Sequence, residues 1–324
     1  MNYILRRLGF YLIALWAALT INFFLPRMLP GDPASTILGA NPNMQPAQIE
    51  ALRQALGFTN DNLLGQYFTY LTHAIRGEFG VSYSFFPAPV TAVISNGLIW
   101  TLMLGVISLL IAFLLGNLLG VIGAWRRGGA LDTTVPPLLI FFGAFPPFFL
   151  ALAALFLLGL TLGWFPTSHA YDDSLHPGFS PQFIGSVAQH MFLPALVIVL
   201  VSIGGWALGM RNVMVGVLAE DYITMAEAKG LKQNRIMFWY AARNALLPGI
   251  TGFGIALGFV LSGQILIEQV FAYPGLGFLL VQAVGSRDYP LMQGLFLMIT
   301  IAVLAANFIV DIFYTRLDPR VRAG

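Results

Sequence analysis

Side chains that commonly do chemistry are few in this 324-residue chain, and they are scattered. There is no cysteine, which excludes disulfides, thiolate nucleophiles and cysteine-ligated metals. The four histidines, His73, His169, His176 and His190, show no metal-ligand spacing of the His-Glu-x-x-His kind and read as solvated or interfacial side chains. No Gly-x-Ser-x-Gly elbow presents a serine nucleophile. No Gly-x-x-x-x-Gly-Lys-Ser/Thr loop cradles phosphates, and the only two lysines, Lys229 and Lys232, follow no glycine-rich run. ATP hydrolysis by a P-loop mechanism is therefore not expected of this chain, nor is any catalytic residue, metal site or bound cofactor. What stands out is a concentration of charge. Only 9% of the residues are charged, yet Glu220, Asp221, Glu227, Lys229, Lys232, Arg235 and Arg243 lie close together.

The elements around that cluster are membrane-like. The chain is 58% hydrophobic, with a mean hydropathy of +0.79. Several uncharged runs exceed the roughly 18–20 residues needed to cross a bilayer. Six spans are expected, at about 8–28, 97–124, 134–163, 190–212, 246–268 and 289–313. The first follows Arg6-Arg7 and lacks a small-x-small cleavage site, so it reads as a retained helix and not a signal peptide. With the N-terminus in the cytoplasm, 12 of the 16 Lys and Arg residues fall on the inner side; only Arg27, Arg53, Arg76 and Arg287 fall outside. Both termini and the charged cluster are then cytoplasmic. Trp100, Trp125 and Trp164, near span ends, suit the interfacial belt.

The fold class that follows is an all-α polytopic membrane protein with six transmembrane helices and an extracytoplasmic helical insertion. Residues 1–28 form the first span and 29–96 the insertion. Residues 97–315 form a core of five spans that includes the charged loop 214–245, and 316–324 form a cytoplasmic tail. Two amphipathic helices are predicted in the insertion. One runs from Pro46 to Leu56 and stops at Gly57. The other runs from Asp61 to Arg76, with Leu64, Tyr67, Phe68, Leu71 and Ile75 at three- and four-residue spacing and Gly77 following. They suit a cap on the membrane domain, a dock for an external partner, or both. Phe165 to Gln189, with Pro166, Pro177 and Pro181, reads as an irregular outer loop.

Inside the spans, ionisable residues are nearly absent, which argues against proton or ion coupling. Glu268 and Asp311 sit near span ends, and Asp311 has Arg316 nearby to pair with. The remaining polar residues, among them Asn117, Ser108, Ser202, Ser262, Gln264 and Asn307, suit hydrogen bonds between helices. Ser262, Gln264 and Asn307 are also the candidates to line a wet translocation pathway. Gly116-x-x-x-Gly120, Gly159-x-x-x-Gly163 and Gly254-x-x-x-Gly258 permit close helix packing, although 34 glycines make chance matches common. Pro136-Pro137 and Pro146-Pro147 are expected to bend or break the third span. The body thus suits a pore without its own fuel site, so it is either driven by a partner or passive.

The charged loop fits the first alternative. Asp221 can cap a helix from Tyr222 to Lys229, with acid at its start, Lys229 at its end and Gly230 as the stop. Small Ala226 and Ala228 would let another surface approach. A second helix is expected from about Asn234 to Ala245, and Pro248 would open the fifth span. The segment reads as a connector on the headgroups or as a docking lever for a cytoplasmic motor.

Ala226-x-Ala228-Lys-Gly230 and Arg243-Asn-Ala-Leu-Leu-Pro248, placed between the fourth and fifth spans, resemble the EAA loop of type I ABC importer permeases. The match is closest to the B-type subunit of the dipeptide/oligopeptide/nickel family. Matching motifs run in order along nearly the whole chain: Leu29-Pro-Gly-Asp-Pro33, Gly77-Glu-Phe-Gly-Val-Ser82, Leu162-Gly-Trp-Phe-Pro166, Tyr273-Pro-Gly-Leu-Gly277, Arg287-Asp-Tyr-Pro290 and Leu317-Asp-Pro-Arg-Val-Arg322. Thr224 and Met225 stand where the generic pattern has Glu and Ala, and Gly230 to Pro248 is longer than the generic spacing. The oligopeptide-type family shares both departures, and they leave Glu227 without the generic glutamate's role.

This resemblance implies one of two pore-forming subunits of a binding-protein-dependent importer in a bacterial or archaeal plasma membrane. It implies a C-type second permease, two cytoplasmic ATP-binding subunits that hold ATP and Mg, and an external solute-binding protein. Asp221, Tyr222, Ala226, Glu227, Ala228, Lys229 and Gly230 would form the helix seated in an ATPase groove. The transported solute would be a di- or oligopeptide, an oligosaccharide or a metal complex. A passive channel or a secondary transporter is the rival reading.

Overall fold

The computed structural model describes residues 2–28, 62–260 and 264–317. The predicted helix Pro46–Leu56, the motif beginning at Leu29, the candidate Ser262 and the tail from residue 318 lie outside the described residues. The described elements are helices, joined by one isolated antiparallel bridge between Val81 and Pro89. They form two compact units, one of residues 1–99 with 275–324 and one of residues 100–274.

The first unit holds α1 (Asn2–Met28), α2 (Leu63–Arg76), the opening turns of α3 (Val90–Trp125), α10 (Leu276–Gly285) and α11 (Tyr289–Leu317). Its core gathers Phe23, Val90, Ile94, Leu279, Met292 and Leu295. α2 begins two residues later than its pattern predicts. The Asn62 side chain accepts from the Leu64 N–H, and Gly77 closes the helix at φ 70°. A buried carboxylate joins two motifs far apart in sequence. Asp288, fully buried, accepts from the Ser82 hydroxyl, from the Ser84 N–H at 2.9 Å and from the Leu291 N–H at 3.2 Å. Gly77–Ser82 and Arg287–Pro290 are therefore two halves of one clasp, and their polar groups are satisfied within it.

The second unit holds the rest of α3, then α4 (Ala130–Gly143), α5 (Pro147–Ala154) with a π-helical end (Leu155–Thr161), and α6 (Pro181–Val217). It continues through α7 (Asp221–Ala228), a short turn (Gln233–Arg235) with a π-helical segment (Ile236–Ala242), α8 (Arg243–Phe259) and α9 (Ile265–Val270). α3 and α6, of 36 and 37 residues, are each about 54–56 Å long at 1.5 Å per residue. Both exceed the ~30 Å hydrocarbon core and project beyond it.

Several expectations are corrected. Among the described residues four helices are long and apolar enough to cross a membrane, or five when the bent pair α4 and Pro147–Thr161 counts as one span. The region expected as a single span at 246–268 is instead α8, of 17 residues, followed by the short α9. The third span does break, by 96°, but only at Pro146-Pro147, where Pro146 is extended and Pro147 begins α5. α4 runs through Pro136-Pro137. The loop after Phe165 is shorter than expected because Ser180 accepts from the Phe183 N–H and Pro181 takes the first helical position of α6. Pro248 lies inside α8 rather than opening it. α10, a ten-residue apolar helix before α11, has no counterpart among the expected elements.

Of the three Gly-x-x-x-Gly pairs, one packs two helices together. A Cβ on Gly116 would lie 2.9 Å from the Ile203 carbonyl oxygen, and one on Gly120 only 2.5 Å from that of Ala207. Bare glycine lets the backbones of α3 and α6 meet. Gly159 instead faces Thr167, Gly163 sits in a turn at φ 63°, and a Cβ on Gly254 would meet none of the described residues within 4 Å.

Candidate functional site

The charged cluster folds as α7 and its exit turn. Asp221 occupies the first helical position, where its charge suits the helix dipole; the cap position belongs to Glu220, whose side chain makes no capping bond. At the other end Gly230 is left-handed at φ 70°. Its N–H bonds the Glu227 carbonyl at 2.8 Å, and the Leu231 N–H bonds that of Ala226 at 3.3 Å. This pair of bonds is the Schellman ending, and its usual apolar contact is present because Leu231 packs on the same cluster as Ala226.

α7 has two faces. Ile223 and Ala226, three residues apart, are buried in a cluster with Met214 of α6, Ile236, Met237 and Ala241 of the π segment, Ala245 of α8, and Val121 and Ala124 of α3. Ala226 is thus not a surface for a partner: its small side chain lets α7 settle on its own membrane domain. The opposite face carries Asp221, Tyr222, Thr224, Glu227, Ala228, Lys229 and an uncharged Met225 that is 59% exposed. The Tyr222 hydroxyl accepts from the Asn244 side-chain amide at 3.0 Å, and the same amide bonds the Tyr240 carbonyl. Asn244 belongs to the Arg243–Pro248 motif, so the two halves of the charged loop are pinned to each other. The second helix of that loop is continuous with α8 through the π segment, and α7 packs against the ends of α3, α6 and α8.

Close by, Arg211 of α6 grips Asp132 of α4 with two hydrogen bonds, one of them Nη2 to Oδ2 at 3.0 Å. Asp132 also accepts from the Gly128 N–H at 2.9 Å. Arg211 lies one turn before Met214, so this pair ties the start of α4 to the helix on which α7 rests. Neither this pair nor the Asp288 clasp was anticipated. The available signal was opposite charge at span ends on one side.

The pathway candidates separate. Gln264 lines a cavity of about 460 Å³ together with Ser202, Gly105, Pro147, Ala256 and Val260. Its side-chain oxygen is buried without a hydrogen-bond partner. Beside it in sequence, Glu268 is buried and accepts from the Thr101 hydroxyl at 2.7 Å. Asn307, half-buried on α11, belongs to the other unit. Among the described residues no cluster of His, Asp or Glu is arranged to hold a metal.

This is a multi-pass helical membrane protein with a surface helix seated on its own membrane helices. Two family models together match almost the whole chain: the inner membrane component of binding-protein-dependent transport systems over residues 116–323, and the N-terminal part of such membrane components over residues 1–108. The chain is 33% identical over 319 residues to the oligopeptide transport system permease protein AppB of Bacillus subtilis (strain 168), covering 98% of each. It is 33% identical over 347 residues to the di/tripeptide transport system permease protein DppB of Pseudomonas aeruginosa (strain UCBPP-PA14), covering 99% of each. It is 34% identical over 322 residues to the glutathione transport system permease protein GsiC of Salmonella choleraesuis (strain SC-B67), covering 99% of each. The chain belongs to the family of binding-protein-dependent transport system inner membrane components, as a B-type permease of the peptide/nickel kind of ABC importer.

Proposed function

We propose that this permease is one of two pore-forming subunits of a peptide importer, driven through α7 by an ATPase on another chain. Its partners in this reading are a C-type permease, two cytoplasmic ATP-binding subunits that hold ATP and Mg, and an external solute-binding protein. α7 and both termini face the cytoplasm, as the distribution of Lys and Arg favours. The carrying observation is the two-faced α7: one face is locked into the ends of α3, α6 and α8, and the other is exposed, with Tyr222 at its edge bonded to Asn244. Tyr222, Met225, Glu227, Ala228 and Lys229 would enter the ATPase groove. Closure of the ATPase pair would move α7 and its helices as one body, and the Asp132–Arg211 pair would carry α4 along.

The cargo in this reading is peptide-like. The names of the relatives support that class, whereas oligosaccharides and metal complexes, the other cargoes implied by the resemblance, find no support in them. Within the permease, Gln264 and Ser202 offer a mostly apolar cavity an amide that a passing peptide N–H can satisfy. Ser262 and Asn307 remain candidates for the same pathway.

The test is uptake of labelled oligopeptide by vesicles holding the permease pair, with ATPase subunits and binding protein added. The expected result is uptake that needs ATP hydrolysis and the binding protein. Uptake that persists without ATP, or follows a proton gradient instead, would establish the channel or secondary-carrier reading.

A further inference from the structure

α2 has a face left exposed by the described residues, and its bonds to α1 fix the depth at which that face lies. Three hydrogen bonds join the two helices. The Tyr67 hydroxyl meets Thr20 Oγ1 at 2.7 Å, the Asn22 amide donates to the Tyr70 hydroxyl at 3.1 Å, and Arg27 donates to Gln66 Oε1 at 3.3 Å. Thr20 and Asn22 lie inside the apolar run of α1, seven and five residues before Arg27, the first charge that follows it. At 1.5 Å per residue, the Tyr67 and Tyr70 hydroxyls of α2 are held about 8–10 Å to the membrane side of Arg27.

At roughly 100° per residue, α2 divides into three faces. Gln66, Tyr67, Tyr70 and Ala74 turn toward α1. Gly65, Thr69, Thr72, His73 and Arg76 form a polar face. Leu64, Phe68, Leu71 and Ile75 form an apolar stripe between the two. Leu64 and Phe68 are each 64% exposed and Ile75 is 83% exposed. In water such a stripe would be costly, at about 25 cal/mol per Å² of apolar surface. Helices that lie in a membrane surface bury this kind of stripe by ~5–10 Å at the boundary between headgroups and acyl chains. The depth set by Thr20 and Asn22 falls within reach of that range. The two tyrosine hydroxyls stand at the level where membrane proteins concentrate Tyr and Trp. Exposed apolar side chains also lie at the same end of α1, Ile21 and Phe24.

We propose that α2 is an interfacial helix whose Leu64, Phe68, Leu71 and Ile75 stripe is seated among the acyl chains of the leaflet on its side of the membrane, lipid being its occupant in place of a protein partner. The reading needs only that α1 spans the bilayer and holds whichever way round the chain is inserted.

The chain has no cysteine, so Phe68→Cys, Ile75→Cys and Thr69→Cys each supply a unique attachment point on it for an environment-sensitive fluorophore. The labelled permease is assembled with its partner subunits, themselves made cysteine-free, in nanodiscs containing phospholipid with a doxyl group near the top of the acyl chain. Labels at positions 68 and 75 are expected to emit at shorter wavelength and to be quenched by the doxyl lipid, while a label at position 69 is quenched by aqueous iodide. Long-wavelength emission with iodide quenching at 68 and 75 would overturn the proposal in favour of a solvent-facing dock. Short-wavelength emission that neither quencher touches would overturn it in favour of a protein partner.

Discussion

Gly230→Val is expected to leave the permease in the membrane and its ATPase partners active, while uptake falls about tenfold or more. A Cβ at Gly230 would meet none of the described residues within 4 Å, so crowding at that atom is not the source of the defect. It comes from the backbone: at φ 70° an L-residue pays roughly 1–2 kcal/mol, and a β-branched one stands at the upper end. That strain acts on the two bonds that close α7, Gly230 N–H to Glu227 and Leu231 N–H to Ala226. Once they open, Leu231 leaves the cluster and the end of α7 no longer stands where an ATPase would meet it. Since each 1.4 kcal/mol is a factor of ten in an equilibrium, the ratio of correctly seated to displaced α7 ends falls about tenfold, and the strain is felt again each time the ATPase loads that end. Gly230→Asn, which tolerates the left-handed region, should keep most of the uptake, with Gly230→Ala between. Measuring uptake per ATP hydrolysed across the three variants checks this. Normal coupling in the valine variant would sink the lever.

Gly120→Leu should act on the folded state itself. Its Cβ would stand 2.5 Å from the Ala207 carbonyl oxygen, 2.7 Å from Met210 Cβ and 3.0 Å from the Arg211 N. Backbone atoms of α6 cannot rotate aside as a side chain can, so α3 and α6 must separate. Overpacking of this kind costs about 1–3 kcal/mol, and a rigid backbone contact belongs at the high end. The damage also reaches α7, because Val121, Ala124 and Met210 are in the cluster that seats it. Thermal unfolding of the purified complex should show a lower midpoint and less monodisperse protein. Gly209→Ala, on α6 with nothing within 4 Å, should not lower it. If both variants melt alike, the tight α3–α6 contact does not contribute as described.

What could be read from the sequence was what local chemistry decides. α2 was legible because a helical apolar period from Leu64 to Ile75 and a terminal glycine, Gly77, occur in order; its cap at Asn62 was not read. α7 was legible because acid, base and Gly230 mark its ends. What escaped depends on partners distant in sequence. Asp132 and Arg211 are 79 positions apart and Ser82 and Asp288 are 206 apart, and no periodicity connects them. The direction of Ala226 escaped because alanine suits an inner face as well as a partner-facing one, and only the cluster around Met214 decides between them. The end of α8 at Phe259 was hidden because Val260 continues the apolar run, and hydropathy does not mark where a helix stops. The early start of α6 was signalled by Ser180-Pro181, an N-cap followed by proline, but in a stretch whose other prolines read as loop.

The central claim is that the exposed face of α7 meets the ATPase while its buried face holds the permease. A photo-crosslinking amino acid at position 225 and, separately, at position 223 of the assembled transporter tests it most directly. The account predicts that position 225, exposed in the free subunit, forms an adduct with an ATPase subunit. It predicts that position 223, buried against Met214 and its neighbours, forms adducts only within the permease. An ATPase adduct from position 223 but not from 225, or from neither, would contradict it.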